Sequence, residues 1–172
     1  MRNAQIIFLT IIISLSVITA CSNSKPLPMG WEPLSSDVLK DAWRNESENR
    51  FTVVKGDFNG DGITDEAKLL VRKDGSGFGV FAFVYQKDHS FKTYQLDEMK
   101  DVKLMRAMGI KKVSTGIYKT ACGKGYWDCQ KDEMPEITIN NEAIDYFKTE
   151  SANSFFYFDI KTKVFKRIWI SD

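Results

Sequence analysis

Oxygen-bearing side chains alternate along Gly56-Asp57-Phe58-Asn59-Gly60-Asp61-Gly62-Ile63-Thr64-Asp65-Glu66. Asp57, Asn59 and Asp61 occupy every second position. Gly62 permits a sharp turn, Ile63 offers its backbone carbonyl, and Asp65 follows at the ninth position. Alternate residues of a tight loop point toward one centre, and three carboxylates gathered there repel one another unless a cation intervenes. The spacing suits a hard cation with an all-oxygen shell, and the expected ion is Ca2+. The metal-free alternative is an acidic β-turn closed by its own Asn and Asp side chains.

The loop departs from an EF-hand, because its twelfth position is Lys68 where that family carries a bidentate Glu. Strand-like residues both precede and follow it. It therefore resembles the strand–loop–strand calcium sites of FG-GAP, VCBS and integrin-type repeats. The resemblance implies a ligand set of Asp57, Asn59, Asp61, the Ile63 carbonyl and Asp65, which closes the shell. In those families the motif recurs in every propeller blade. Here it occurs once, so the loop carries over and the propeller does not.

Other chemistry-bearing residues are few. Cys122 and Cys129 bracket Gly-Lys-Gly-Tyr-Trp-Asp. This is neither redox CxxC spacing nor, without histidine neighbours, a zinc site. An even pair at this spacing predicts a structural disulfide in an oxidising compartment. Tyr126 and Trp127 lie inside the loop it would close. Two large aromatics on a preordered loop form a candidate recognition tip; the alternative is that they fold back as a lid on the core. His89, the one histidine, sits in the turn-like Lys87-Asp88-His89-Ser90 and is expected to face solvent. No GxSxG or HExxH motif accompanies it. Lys161, Lys163, Lys166 and Arg167 read as the solvated face of a hairpin.

The amino-terminal residues carry an address. Met1-Arg2-Asn3 is a short basic start, Ile6 to Ala20 is uncharged and largely aliphatic, and Ile18-Thr19-Ala20-Cys21 closes the run. The run would span about 22 Å as a helix, short against a bilayer core of about 30 Å but normal for a signal peptide. It resembles a bacterial lipoprotein signal ending in a lipobox. That resemblance implies removal of residues 1–20, acylation of Cys21 and a lipid anchor in the cell envelope. Ser22 matches the outer-membrane default of proteobacterial lipoproteins, with the domain facing the periplasm.

The roughly 150 residues beyond the signal suffice for one domain and not for two. The full chain holds 24 basic and 23 acidic residues, and Arg2 is the one charge of residues 1–20. The exported part is therefore balanced, and nucleic acid is not an expected partner. Twelve Phe, six Tyr and four Trp suit a β-rich core.

Residues 21–33, with three prolines, read as the lipidated cysteine and an extended tether. From residue 34 onward a globular domain is expected. Ser35 or Ser36 can cap a helix whose apolar face is Val38, Leu39, Ala42 and Trp43, fading by Glu48. From Phe51 the pattern is mostly strand. Val80 to Tyr85 is apolar on both parities, as in a strand buried on both faces, and residues 159–163 read as a tight hairpin connection. Met99, Val102 and Met105 fit a helix face that Gly109 could end. The fold expected is mainly β, with α+β as the alternative. It is a single domain of about eight to ten antiparallel strands with one amino-terminal helix packed on them.

The expected function is non-enzymatic: a lipid-anchored envelope protein with a binding or structural role, a Ca2+ loop, and a protein or glycan partner. An immunity or inhibitor lipoprotein is its narrower form. The alternative is a small envelope hydrolase using carboxylates, which calls for a carboxylate pair in a cleft outside residues 57–65.

Overall fold

A computed structural model of the protein describes residues 27–172. Cys21 and the signal segment lie outside the described residues. Among the described residues no helix is long and apolar enough to cross a membrane.

The fold is mainly β, and all strand pairings are antiparallel. The first sheet contains β1 (Trp31–Pro33), β2 (Val53–Gly56), β3 (Asp65–Arg72), β4 (Phe78–Tyr85) and β5 (Phe91–Met99). Its order is β1-β3-β4-β5, with β2 sharing the β1 edge of β3. The second sheet uses β6 (Met108–Val113), β9 (Ala143–Lys148), β10 (Asn153–Asp159) and β11 (Val164–Ser171), in the order β11-β10-β9-β6. A separate ribbon pairs β7 (Gly116–Lys119) with β8 (Glu136–Ile139).

Side-chain alternation builds three apolar layers from these sheets. Phe78, Val80 and Ala82 of β4 face Ile110, Ile144, Tyr146 and Phe156 of the second sheet in the main core. The opposite parity of β4, Phe81, Phe83 and Tyr85, forms a second layer with Trp31 and Leu70. The third layer joins Val113, Ala143, Phe155 and Ile170 to Ile139, Ile137 and Tyr118 of the ribbon. This accounts for the unbroken apolar run of β4, which is buried along its whole length.

The structure corrects the expected amino-terminal helix. Residues 35–48 form two short 3-10 turns, Val38–Lys40 and Ala42–Glu46, separated by Asp41 in an extended conformation (ψ 128°). Arg44 is the cause we identify. Its side chain is fully buried, and its guanidinium donates to the carbonyls of Arg50, Met105 and Met108 at 2.9, 3.0 and 2.9 Å. These tertiary bonds override a weak local preference for α-helix. The tether also ends sooner than expected, because Trp31–Pro33 pairs with Leu70–Arg72 and buries Trp31 against Phe81. Pro33 is tolerated there because an edge strand needs no donor on its outer side. Gly109, expected as a helix stop, lies inside β6, where a side chain would collide with the Phe147 ring. Only the 3-10 turn Val102–Arg106 precedes it.

Candidate functional site

The loop of residues 57–64 joins β2 to β3, so the strand–loop–strand setting expected from the sequence is present. Gly60 and Gly62 adopt φ of +76° and +82°, the left-handed region where glycine is free of strain. Asp57 organises the turn. Its Oδ1 accepts the N–H groups of Gly60 (2.8 Å) and Asp61 (3.1 Å), and its Oδ2 accepts that of Gly62 (2.9 Å). Asp61 Oδ1 accepts Ile63 N–H at 2.8 Å. Asn59 binds Asp61 twice, accepting its N–H and donating Nδ2–H to its Oδ2.

Asp65 plays a different part. It is 0% exposed, and each carboxylate oxygen accepts one backbone N–H: Phe58 at 3.0 Å and Tyr85 at 2.9 Å. The first bond closes the loop onto its own start, and the second fastens it to the end of β4. Burial pushes the Asp65 carboxyl up to about 6. The two N–H donors oppose that shift, while Asp61 and Asp57 add to it.

The loop thus brings Asp57, Asn59 and Asp61 together at the surface and places Asp65 beneath them. Among the described residues, no three His, Cys, Asp or Glu side chains are gathered as a metal site. As a donor set the loop fits a hard cation in part. Asp57 Oδ1 already accepts two N–H groups, but Asp57 Oδ2 and the Asp61 and Asp65 oxygens each accept one and keep a second lone pair, and the Asn59 and Ile63 carbonyls add neutral oxygens. The Asn59–Asp61 pairing would have to open to admit an ion.

A strut that the sequence does not reveal ties this loop to the second sheet. Glu142, in the turn before β9, accepts Asp57 N–H on Oε2 at 2.9 Å and pairs through Oε1 with Lys112 Nζ at 2.7 Å. Lys112 and that N–H hold the Glu142 carboxyl below its ordinary range. Beside it, Asn141 packs on Gly60, where an added Cβ would lie 2.7 Å from Asn141 Oδ1.

Cys122 and Cys129 are bonded at 2.05 Å. The loop between them divides the two aromatics. Tyr126 is 53% exposed, whereas Trp127 is half-buried and donates Nε1–H to Glu133 Oε2 at 3.1 Å. The recognition tip read from the sequence therefore presents one aromatic ring to solvent. His89 is exposed in a turn at φ +65°, as expected. Half of the basic cluster is neutralised in place: Lys166 pairs with Asp159, and Arg167 with Asp97 at 3.1 Å. Arg167 also lies over the rings of Phe156 and Trp169.

Compared with protein-family models, curated proteins and solved structures, the chain matches none. The calcium-loop and lipoprotein resemblances therefore rest on the residues that carry them.

Four clefts among the described residues hold few carboxylates. One, of about 450 Å3, lies between residues 138–141, at the end of β8 and the turn after it, and the β10–β11 hairpin, and includes Asp159. A second, between the facing edges of β5 and β11, is lined by Tyr94, Phe165 and Arg167 and contains no carboxylate. A third includes Glu136 alone. An apolar groove of about 210 Å3 beside Leu27, Leu34 and Leu39 has none.

Proposed function

We propose that this protein is a non-enzymatic, lipid-anchored binding domain of the bacterial cell envelope, held by acyl chains on Cys21 and stabilised by Ca2+ at residues 57–65. Asp57, Asn59, Asp61, the Ile63 carbonyl and Asp65 would hold the ion, which neutralises the acidic turn. The chain's own residues position the domain surface.

The observation that favours binding over hydrolysis is the state of Asp159, the one carboxylate in the 450 Å3 cleft. It is paired with Lys166, and its Oδ1 accepts Lys161 N–H at 2.9 Å. Lys166 foremost, with the N–H groups of Lys161 and Thr162, pulls its carboxyl down to about 2. A group so acidic neither donates nor abstracts a proton efficiently near neutral pH, and no second carboxylate faces it across the cleft. The immunity or inhibitor role is the narrower form of this reading, with Tyr126 on its disulfide loop as contact.

The test is made on the full chain in an exporting bacterium. Wild type should incorporate an alkyne-tagged fatty acid, lose residues 1–20 and require detergent for extraction, and Cys21→Ser should do none of these. A photo-crosslinking residue at position 126 should trap a discrete envelope component. Labelled Cys21→Ser protein would overturn the anchor. Catalytic release of reducing sugar ends from envelope glycans, absent with a heat-denatured control, would overturn the non-enzymatic role.

A further inference from the structure

The 450 Å3 cleft carries more than an unreactive carboxylate. One wall is the end of β8 and the turn that follows it, with Thr138, Asn140 and Asn141. The other is the β10–β11 hairpin, with Tyr157, Ile160 and Lys161. We propose that this cleft binds a short carboxylate-bearing oligosaccharide, which deepens the binding role proposed above and rests on it.

The argument begins with unused hydrogen-bonding capacity. The side chains of Thr138, Asn140, Asn141 and Lys161 make no hydrogen bond or ion pair with another described residue, unlike those of Asp159 and Lys166 beside them. Two carboxamides and a hydroxyl supply donors and acceptors together, as vicinal sugar hydroxyls require. Tyr157, half-buried against the third apolar layer, lines the cleft and brings an aromatic ring to its wall for contact with sugar C–H groups.

Charge narrows the class. Asp159 and Lys166 cancel, leaving the Lys161 ammonium as the uncompensated charge of the cleft. One free cation suits a single carboxylate and not a run of phosphates. The volume falls in the range of pockets that enclose small ligands. The wall before β9 is prearranged, because Asn141 packs on Gly60 and the adjacent Glu142 holds Asp57 N–H, so little ordering is required there on binding.

The experiment uses the full lipidated protein in a zwitterionic detergent without a sugar headgroup. The probes are a uronate-bearing hyaluronate tetrasaccharide, an N-acetylmuramate-bearing tetrasaccharide and neutral chitotetraose, titrated by calorimetry. At least one acidic probe should bind more tightly than the neutral one. Lys161→Gln and Asn140→Ala, both at the surface, should each weaken it by about five- to ten-fold, the loss of one hydrogen bond or ion pair. Lys131→Gln, outside the cleft, should not. Absence of binding to every probe at millimolar concentration would overturn the proposal, as would equal affinity for neutral and acidic probes or full binding by the Lys161→Gln/Asn140→Ala double variant. Mass spectrometry of the probe separates this from the role it rests on. An intact probe upholds both, whereas a cleaved probe upholds the ligand class and overturns the non-enzymatic role.

Discussion

Asp57 and Glu142, 85 residues apart, are joined by one hydrogen bond from the Asp57 N–H to Glu142 Oε2 at 2.9 Å. This bond unites the acidic loop of the first sheet with the turn that begins β9 of the second. Lys112 completes the strut at 2.7 Å. The loop is therefore a junction between the sheets as well as a connection between two strands.

The first prediction concerns that strut. Glu142→Gln keeps the shape but removes the charge that favours both bonds. It should cost about 1–2 kcal/mol, lowering the melting temperature by a few degrees for a domain of this size. Lys112→Met, at a partly exposed pair, should cost less than about 1 kcal/mol. Thermal unfolding of the two variants checks the order; equal losses would mean that the Asp57 bond contributes nothing of its own.

Arg44 should be the most sensitive polar position. Its guanidinium meets three carbonyls in the interior, and its Nε has no partner among the described residues. Burial pushes its pKa down, while Asp41 acts in the opposite direction. Arg44→Ala leaves a cavity and removes a donor from each of three carbonyls. A loss of about 3 kcal/mol or more in urea unfolding is expected. Arg44→Lys, with a single ammonium in place of a planar fork, should recover only part of it.

These two residues also mark the limit of what the sequence makes legible. Local pattern sufficed for β4, whose apolar residues on both parities indicate cover on both faces, and for the β10–β11 hairpin across residues 159–163. The strand–loop–strand setting of Asp57 to Asp65 was legible for the same reason, since its signals lie within a few residues. Val38, Leu39, Ala42 and Trp43 have helical spacing, yet the segment is set by carbonyls more than sixty residues away from Arg44, which no local window contains. Trp31–Pro33 reads as tether because the prolines of residues 21–33 outweigh one tryptophan, and its pairing with β3 is again non-local. In the candidate site, no local signal distinguishes Glu142, because its partners Asp57 and Lys112 lie 85 and 30 residues away in sequence. Asp65 looked equivalent to Asp61, although one is buried and the other exposed.

Opening the disulfide should act locally. The short loop it closes is worth about 2–3 kcal/mol, so Cys122→Ala/Cys129→Ala should lower stability by that order. The N–H groups of Gly125 and Tyr126, bonded to the carbonyls of Cys122 and Ala121 at 3.0 and 3.1 Å, should lose hydrogen-exchange protection. Amides of β9 and β10 should keep theirs under native conditions, as expected for local opening. In the oxidised wild type neither cysteine should react with an alkylating agent.

Acid stability should carry the mark of Asp145. This carboxyl is buried, with Asn153 donating at 2.9 Å and Lys111 Nζ at 3.5 Å. Burial pushes its pKa up, and Asn153 and Lys111 only partly restore it. A folded-state value above the unfolded one, about 3.9, means that the folded protein binds its proton more tightly. The stabilisation is complete below the unfolded value and is lost as pH rises through the folded value. Asp145→Asn cannot titrate, so its stability relative to wild type should increase with pH across that window and level off above it. Urea unfolding at several pH values measures the difference; a difference independent of pH would show that Asp145 has its ordinary pKa in the fold.

Calcium provides the last and most direct test of the 57–65 loop. Without an ion, Asp57, Asn59 and Asp61 satisfy one another and the loop N–H groups, so the protein should remain folded in EDTA. An ion that binds only the folded state adds stability according to its occupancy, about 2.7 kcal/mol at 100 times its dissociation constant. Excess Ca2+ should therefore raise the melting temperature above that in EDTA. Mg2+ should do so less, because its small octahedral shell tolerates a loop of mixed oxygens poorly. Asp61→Ala removes an exposed carboxylate from the loop and should abolish the Ca2+ increment. Asp88→Ala, in the distant turn where that side chain binds Ser90, should leave it intact. The two variants separate a bound ion from a general effect of divalent salt, which would shift both equally. Identical melting in EDTA and millimolar Ca2+, with no heat of binding, would identify residues 57–65 as an acidic turn that needs no metal, held by Asp65 from below and Glu142 from the side.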